Sequence, residues 1–262
     1  TELNAGGRRS FKDYFTFYTK ESDYTTAYAN AVKEYLAGSL SVGIKNLIKK
    51  KWGVKVPDIG VYSTNRNPNV NARQDDVRTF IADYLGKQLL VNKDGIKIVF
   101  GISIHVNSYS PKTYGQIYTI HTGPDMSFKP QSVSVANKIQ SSLTELYEKP
   151  ADYKLTAFTA VKNELIKGVL PNGFKFLLGN TINNTAEKGF WLTDRPIYYV
   201  KEYPALEEAT KRLYFAPVLI EIGNMQEPYT LAVMSCKLFR EFVAKSIVIG
   251  MYRYVINAMG LK

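Results

Sequence analysis

The sequence predicts an α/β fold, in which a mixed, mostly parallel central β-sheet is flanked by helices on both faces within one domain, residues 1–262. Two apolar runs, in residues 97–110 and 217–225, have the length and β-branched content of strands buried on both faces of a sheet. Segments with helical apolar spacing separate and flank these runs. A length of 262 residues and a hydrophobic content of 45% allow one sizeable core.

Helices are predicted where apolar residues recur every three or four positions. The first such pattern covers residues 24–36, where Ser22 or Asp23 can cap the helix start and Gly38 can end it. Three further segments share this spacing and are predicted to form helices that begin at Arg73, Ser132 and Pro228.

Shorter strands are predicted from alternating or β-branched stretches. They cover residues 52–56 and 60–63, which form an edge region interrupted by Pro57, and residues 115–121 and 197–200. Residues 150–215 show little periodicity and are predicted to be a variable insertion region within the single domain.

The net charge of +11 favours polyanionic partners, such as acidic lipid, nucleic acid or anionic cell-wall polymer. The basic residues are scattered, with one dense run at residues 49–51 and no nucleic-acid-binding motif. A solvated basic surface is therefore favoured, and no nucleic-acid partner is predicted. A single cysteine, Cys236, excludes an intrachain disulfide, and no apolar run reaches the ~20 residues of a membrane span.

Polar side chains mark the ends of the two buried strands. His105 and Asn107 follow the first apolar run, at the carboxyl end of a strand, where α/β sheets bind ligands. Glu221 lies inside the second apolar run, where an unpaired charge would be costly and must be compensated. A purely structural hydrogen-bond network at the strand ends is the alternative interpretation.

The segments around these residues resemble two motifs of the zinc-dependent N-acetylmuramoyl-L-alanine amidases (amidase type 3). Residues 103–108, Ser-Ile-His-Val-Asn-Ser, are similar to the Ser-Ile-His-Ala-Asn motif. Residues 218–223, Val-Leu-Ile-Glu-Ile-Gly, are similar to the Leu-Val-Glu-Leu-Gly-Phe motif, and the order of the two motifs also agrees. The resemblance implies hydrolysis of the amide between N-acetylmuramic acid and the L-alanine of the peptidoglycan stem peptide.

The resemblance also implies roles for individual residues. His105 and Glu21 correspond to zinc ligands, and Glu221 corresponds to the general base that takes a proton from water and returns it to the leaving amine. Asn107 and Arg73 correspond to substrate-binding positions. For Glu21 the alternative is an exposed carboxylate stabilised by the dipole at a helix start.

The sequence departs from the family pattern at the first zinc ligand. Residues 4–7, Asn-Ala-Gly-Gly, resemble an Asn-Pro-Gly-His-Gly-Gly motif without its histidine, and Asn224 stands where an aromatic residue is usual. The chain has two histidines, so His121 is the candidate replacement ligand, and Asp13, Asp23 or another, unidentified donor are the alternatives. An exposed turn histidine is the other interpretation of His121.

Two functions therefore follow from the sequence. The first is an active amidase that uses Zn²⁺. The second is a catalytically degenerate amidase domain, without zinc, that binds the cell wall or serves as a structural component of an assembly such as a phage-tail-like particle. Peptidoglycan is the expected partner in both cases, with anionic cell-wall polymers or an assembling protein in addition. No signal peptide opens the sequence, and the expected location is the cell envelope, the extracellular space or a phage-like particle.

Overall fold

The computed structural model describes residues 14–61, 97–107, 117–120, 129–159 and 213–261. In chain order, the elements are α1 (Glu21–Ala37), α2 (Ser41–Trp52), β1 (Lys97–Asn107), β2 (Tyr118–Ile120), α3 (Lys129–Glu148), a short 3-10 helix (Pro150–Tyr153), β3 (Leu213–Asn224), α4 (Pro228–Met234) and α5 (Lys237–Ala258). The predicted α/β class is confirmed. The helix expected at Arg73 and the strand expected at residues 197–200 lie outside the described residues.

The described sheet has three strands in the order β1-β3-β2. β1 pairs with β3 in parallel, and β2 pairs with β3 in the antiparallel direction, so the sheet is mixed. The β1–β3 register places His105 opposite Glu221 and shifts between His105 and Asn107. Parallel pairing brings the carboxyl ends of β1 and β3 to the same edge of the sheet.

One face of the sheet packs on the hydrophobic core. Alternate residues of β3 are buried in the hydrophobic core, namely Ala216, Val218, Ile220 and Ile222. Their counterparts on β1 pack against the same core but are only partly buried, namely Ile98, Phe100, Ile102 and Ile104. β1 is thus less buried than its apolar run predicts, and among the described strands it lies at the edge of the sheet.

The core is centred on α5, whose buried residues lie on all sides of the helix from Leu238 to Val255. α5 packs closely on α3, where a Cβ added at Gly250 would lie 2.5 Å from the Cα of Ile139. Phe158 and Phe242 stack in the same core with their ring centroids 4.6 Å apart. None of the described helices is both long enough and apolar enough to cross a membrane.

The first predicted helix is present, but its start differs from the prediction. Lys20 occupies the N-cap position without a side-chain cap, while Ser22 and Asp23 lie inside the first turn. Gly38 follows the helix as predicted and donates its N–H to the carbonyl of Glu34. Acidic residues in the first turn, Glu21 among them, interact favourably with the helix dipole without a specific cap.

α2 was not predicted, and the edge strand predicted at residues 52–56 is wrong. Trp52 is the last residue of α2, and Gly53 ends the helix in the left-handed conformation with φ of 72°. Val54 and Val56 are buried, but they lie in a segment without strand pairing. Their alternation reflects burial of one side of an extended segment, which sequence periodicity alone does not distinguish from a strand.

Candidate functional site

The parallel pairing of β1 and β3 brings His105 and Glu221 side by side. The two residues are register partners near the carboxyl ends of their strands. Because side chains alternate along a strand, both lie on the face opposite the one that packs on the core through Ile104 and Ile220. The His105 side chain is 38% exposed, so it can reach a ligand outside the sheet.

Glu21, the first residue of α1, joins this pair from a distant part of the chain. Its Oε1 atom lies 3.4 Å from Nδ1 of His105 and accepts a hydrogen bond from the backbone N–H of Val106 at 3.1 Å. Val106 lies at the position where the β1–β3 register shifts, which is where a backbone N–H needs a partner outside the ladder. Glu21 is therefore more than an exposed carboxylate at a helix start.

The environment of Glu221 favours its protonated form. Burial raises the pKa of Glu221 from 4.5 to about 7, with Glu21 raising it further and His105 opposing the rise. Its Oε2 atom is buried and has no hydrogen-bond partner among the described residues. A carboxyl group that titrates near neutral pH can both accept and donate a proton, which is the requirement for general acid–base catalysis.

The two predicted ligands that the structure describes have a geometry that suits zinc. Zinc binds imidazole nitrogen and carboxylate oxygen at about 2.0–2.1 Å, so adjacent ligand atoms in a tetrahedral site are separated by about 3.3 Å. The separation of 3.4 Å between Nδ1 of His105 and Oε1 of Glu21 is compatible with this value and is also that of a histidine–carboxylate ion pair. The donor types and their spacing therefore fit two positions of a zinc site.

The described residues do not supply a third ligand. Among them, no group of three His, Cys, Asp or Glu side chains could hold a metal ion, so Asp23 does not complete a site with Glu21 and His105. The other candidates, His121 and Asp13, lie outside the described residues, as do the motif at residues 4–7 and the substrate-binding candidate Arg73.

Asn107 ends β1 and pairs in register with Asn224, at the edge of the sheet where the site lies. Asn224 is a buried anchor of the turn after Glu221, because its Oδ1 atom accepts the N–H of Gln226 and its carbonyl accepts the hydroxyl of Thr230. The sequence showed that Asn224 replaces the aromatic residue that is usual at this position. It did not indicate that Asn224 anchors the turn. The backbone N–H of Val106 carries no side-chain signal, and sequence reasoning missed it.

Neither a family model nor a curated protein matches the chain. Among solved structures, the chain is similar to the CwlD amidase of Clostridioides difficile, which was solved in complex with the GerS lipoprotein, at 15% identity and a TM-score of 0.41. That match covers 90% of this chain and 87% of the other.

Two N-acetylmuramyl-L-alanine amidases, both named Ami1, are also similar. The Mycobacterium smegmatis protein shows 16% identity and a TM-score of 0.47 over 98% of this chain and 89% of its own. The Mycobacterium abscessus protein, in its apo form, shows 14% identity and a TM-score of 0.44 over 97% and 90%. At these identities and TM-scores, the similarity by itself assigns neither an activity nor a metal to this chain.

Proposed function

We propose that this chain is a zinc-dependent amidase that hydrolyses the bond between N-acetylmuramic acid and L-alanine in peptidoglycan. The observation that carries the proposal is the convergence of Glu21, His105 and Glu221, which come from α1, β1 and β3. These are the described residues to which the resemblance assigns zinc binding or proton transfer, in addition to Asn107 as a substrate-binding position. The Oε2 atom of Glu221, which is buried and has no hydrogen-bond partner among the described residues, lies beside an accessible histidine and supports a catalytic role over a purely structural network.

Amide hydrolysis requires removal of a proton from the attacking water and delivery of a proton to the leaving nitrogen. Glu221 suits both steps, because burial raises its pKa to about 7 in the metal-free site. His105 and Glu21 would hold the zinc ion, with one or more further donors from residues outside the described ranges. Zinc, when bound, polarises the scissile carbonyl and lowers the pKa of water.

Metal analysis and a muropeptide assay test the proposal together. Elemental analysis of the purified protein should give about one zinc per chain, as a catalytic site requires. Purified peptidoglycan should release stem peptides that begin with free L-alanine, detected by mass spectrometry. Glu221→Gln should lower this rate by about 10²–10⁴, the usual contribution of a general base, while zinc content is unchanged.

Glu148→Gln is the matched control, because Glu148 is an exposed glutamate at the end of α3. It should leave both the rate and the zinc content unchanged. Full activity of the Glu221→Gln variant would contradict the assigned base. Stoichiometric zinc without any release of peptides would contradict the assigned substrate bond.

The second candidate is a degenerate amidase domain that binds peptidoglycan or takes part in an assembly. The observation that favours it is the absence of histidine from residues 4–7 in a chain with only two histidines. This candidate predicts no zinc and no hydrolysis, together with co-sedimentation of the protein with insoluble peptidoglycan. In either case we propose that the protein acts at the cell envelope, outside the cell or on a phage-like particle.

A further inference from the structure

A chain of hydrogen bonds, buried at its centre, runs beside the segment that carries Glu21. The backbone N–H of Tyr18 donates to the hydroxyl of Tyr24 at 3.1 Å, and this hydroxyl lies 2.8 Å from Oγ of Ser235. The Ser235 hydroxyl in turn donates to the carbonyl of Leu231 at 2.8 Å. Because the Ser235 proton is used in that bond, the Tyr24 hydroxyl is the donor to Ser235. Each of these hydrogen bonds therefore has a known donor and acceptor. We call the chain from Tyr18 through Tyr24 and Ser235 to Leu231 the relay.

The relay joins three parts of the chain. Tyr18 precedes α1, Tyr24 lies in its second turn, and Ser235 follows α4. Ser235 also accepts the N–H of Thr16 at 2.8 Å through its carbonyl. Tyr24 and Ser235 are both fully buried, so water cannot replace these bonds without rearrangement. Glu21 lies midway between Tyr18 and Tyr24, and the backbone that carries it is held on both sides.

We infer that Tyr24 and Ser235 are positioning residues for the site. Their relay holds the start of α1 in the place where the Glu21 carboxylate meets the N–H of Val106 and the ring of His105. The part of this inference that concerns zinc binding rests on the proposed function. The part that concerns the hydrogen bond between Glu21 and Val106 does not require a metal.

The alternative role for Tyr24 is core packing alone. Tyr28, on the same helix, serves as a matched residue that distinguishes core packing from positioning of the site. Tyr28 is also fully buried, and its hydroxyl donates to the carbonyl of Met234 at 3.1 Å. It lies almost two helical turns beyond Glu21 and has no described bond to the segment before α1. Tyr24→Phe and Tyr28→Phe each remove one buried hydroxyl and keep the ring, so a purely structural role predicts equal effects on the site.

Amide hydrogen exchange of the metal-free protein, followed by NMR, is the first readout. Tyr24→Phe should speed the exchange of the Val106 amide roughly tenfold, the factor expected for the loss of about one hydrogen bond. The amide of Val248, in the middle of α5, reports global stability and should change less. Glu21→Ala provides the reference for complete loss of the Val106 bond.

Ser235→Ala should reproduce the Tyr24→Phe effect, and the double variant should be no worse than either single variant, because both changes break one relay. Tyr28→Phe should alter the exchange of Val106 and Val248 by the same factor. Equal effects of Tyr24→Phe and Tyr28→Phe on Val106, after correction by Val248, would overturn the inference.

Zinc affinity, measured by competition with a chromophoric chelator, is the second readout. Tyr24→Phe should weaken zinc binding by about tenfold or more, as is typical when a residue that orients a metal ligand is changed. Tyr28→Phe should leave zinc binding unchanged. If the wild type binds no zinc but the Val106 exchange behaves as expected, the positioning role stands and the zinc proposal fails. If the wild type binds zinc and neither readout changes in Tyr24→Phe, the positioning role is refuted and the zinc proposal stands.

Discussion

Lys245 is a buried lysine in α5 whose replacement should change the pH dependence of stability. The residue is 7% exposed, its ammonium donates to the carbonyl of Tyr153, and it lies 5.7 Å from the centroid of the Tyr35 ring. Burial lowers the pKa of Lys245 from 10.5 to about 8, with Lys154 lowering it further and Glu241 opposing the change. The folded state therefore carries a desolvated charge at neutral pH.

The magnitude follows from the two pKa values. The difference between 10.5 and about 8 corresponds to about 3 kcal/mol, at about 1.4 kcal/mol per pKa unit. Below pH 8 the lysine is protonated in both the folded and unfolded states, and the whole cost is present. Between pH 8 and 10.5 the unfolded state binds more protons than the folded state, so the unfolding free energy rises with pH and the cost disappears.

The variant Lys245→Met removes this cost and also removes the hydrogen bond to Tyr153, which offsets about 1–3 kcal/mol of the gain. The variant should therefore be at least as stable as the wild type at pH 7. At pH 10.5 it should be less stable, because the wild type has by then recovered about 3 kcal/mol. The difference between the two unfolding free energies, measured by urea denaturation with far-UV circular dichroism from pH 7 to 10.5, is the quantity to follow.

The other titratable groups are the same in Lys245→Met and the wild type, so their contributions cancel in the difference between the two unfolding free energies. Lys237→Met is the control, because Lys237 lies on the same helix with its side chain 47% exposed and paired with Glu241. This variant should change the unfolding free energy by less than about 1 kcal/mol. A difference between Lys245→Met and the wild type that stays constant across the pH range would refute the desolvation of Lys245.

Two core substitutions and one exposed control test the packing by chemical denaturation at pH 7. Gly250→Ala should lower the unfolding free energy by about 1–3 kcal/mol, because its Cβ would overlap the backbone of Ile139. The control is Gly43→Ala on the exposed side of α2, where an added Cβ meets no described atom outside the helix backbone, and it should raise the unfolding free energy by about 0.5–1 kcal/mol. Phe158→Ala should lower it by about 3–5 kcal/mol by removing the ring that stacks on Phe242. A stable Gly250→Ala protein with an unchanged midpoint would contradict the close packing of α3 on α5.

The strands and most of the described helices could be predicted because their signals are local. The apolar runs of β1 and β3 and the helical spacing of α1 and α5 are periodic over enough residues to specify the element type. α2 was missed because its helical apolar spacing, at Ile44, Leu47 and Ile48, covers little more than one turn before three consecutive lysines. The buried residues Val54 and Val56 then favoured a strand, which would need a partner that the described fold does not provide.

The candidate site was predicted in its residue types but not in its contacts. The motifs around His105 and Glu221, with the position of Glu21, nominated three side chains that the structure brings together. Their roles as ligands and base stay predictions, as do the single domain and the replacement ligand. The bond from Val106 to Glu21 was unpredictable, because it depends on a register shift that follows from how two distant strands pair.

The sequence by itself determined the α/β class, the order of the two main strands and the identity of the polar residues at their ends, because these depend on local periodicity and short motifs. The tertiary structure alone decided which of these residues meet and how Glu221 ionises. The pKa of Glu221 is raised by burial in the folded chain, and Glu21 meets β1 because the start of α1 is held through the Tyr24–Ser235 hydrogen bond. Burial and register are properties of the packed chain, so no local pattern contains them.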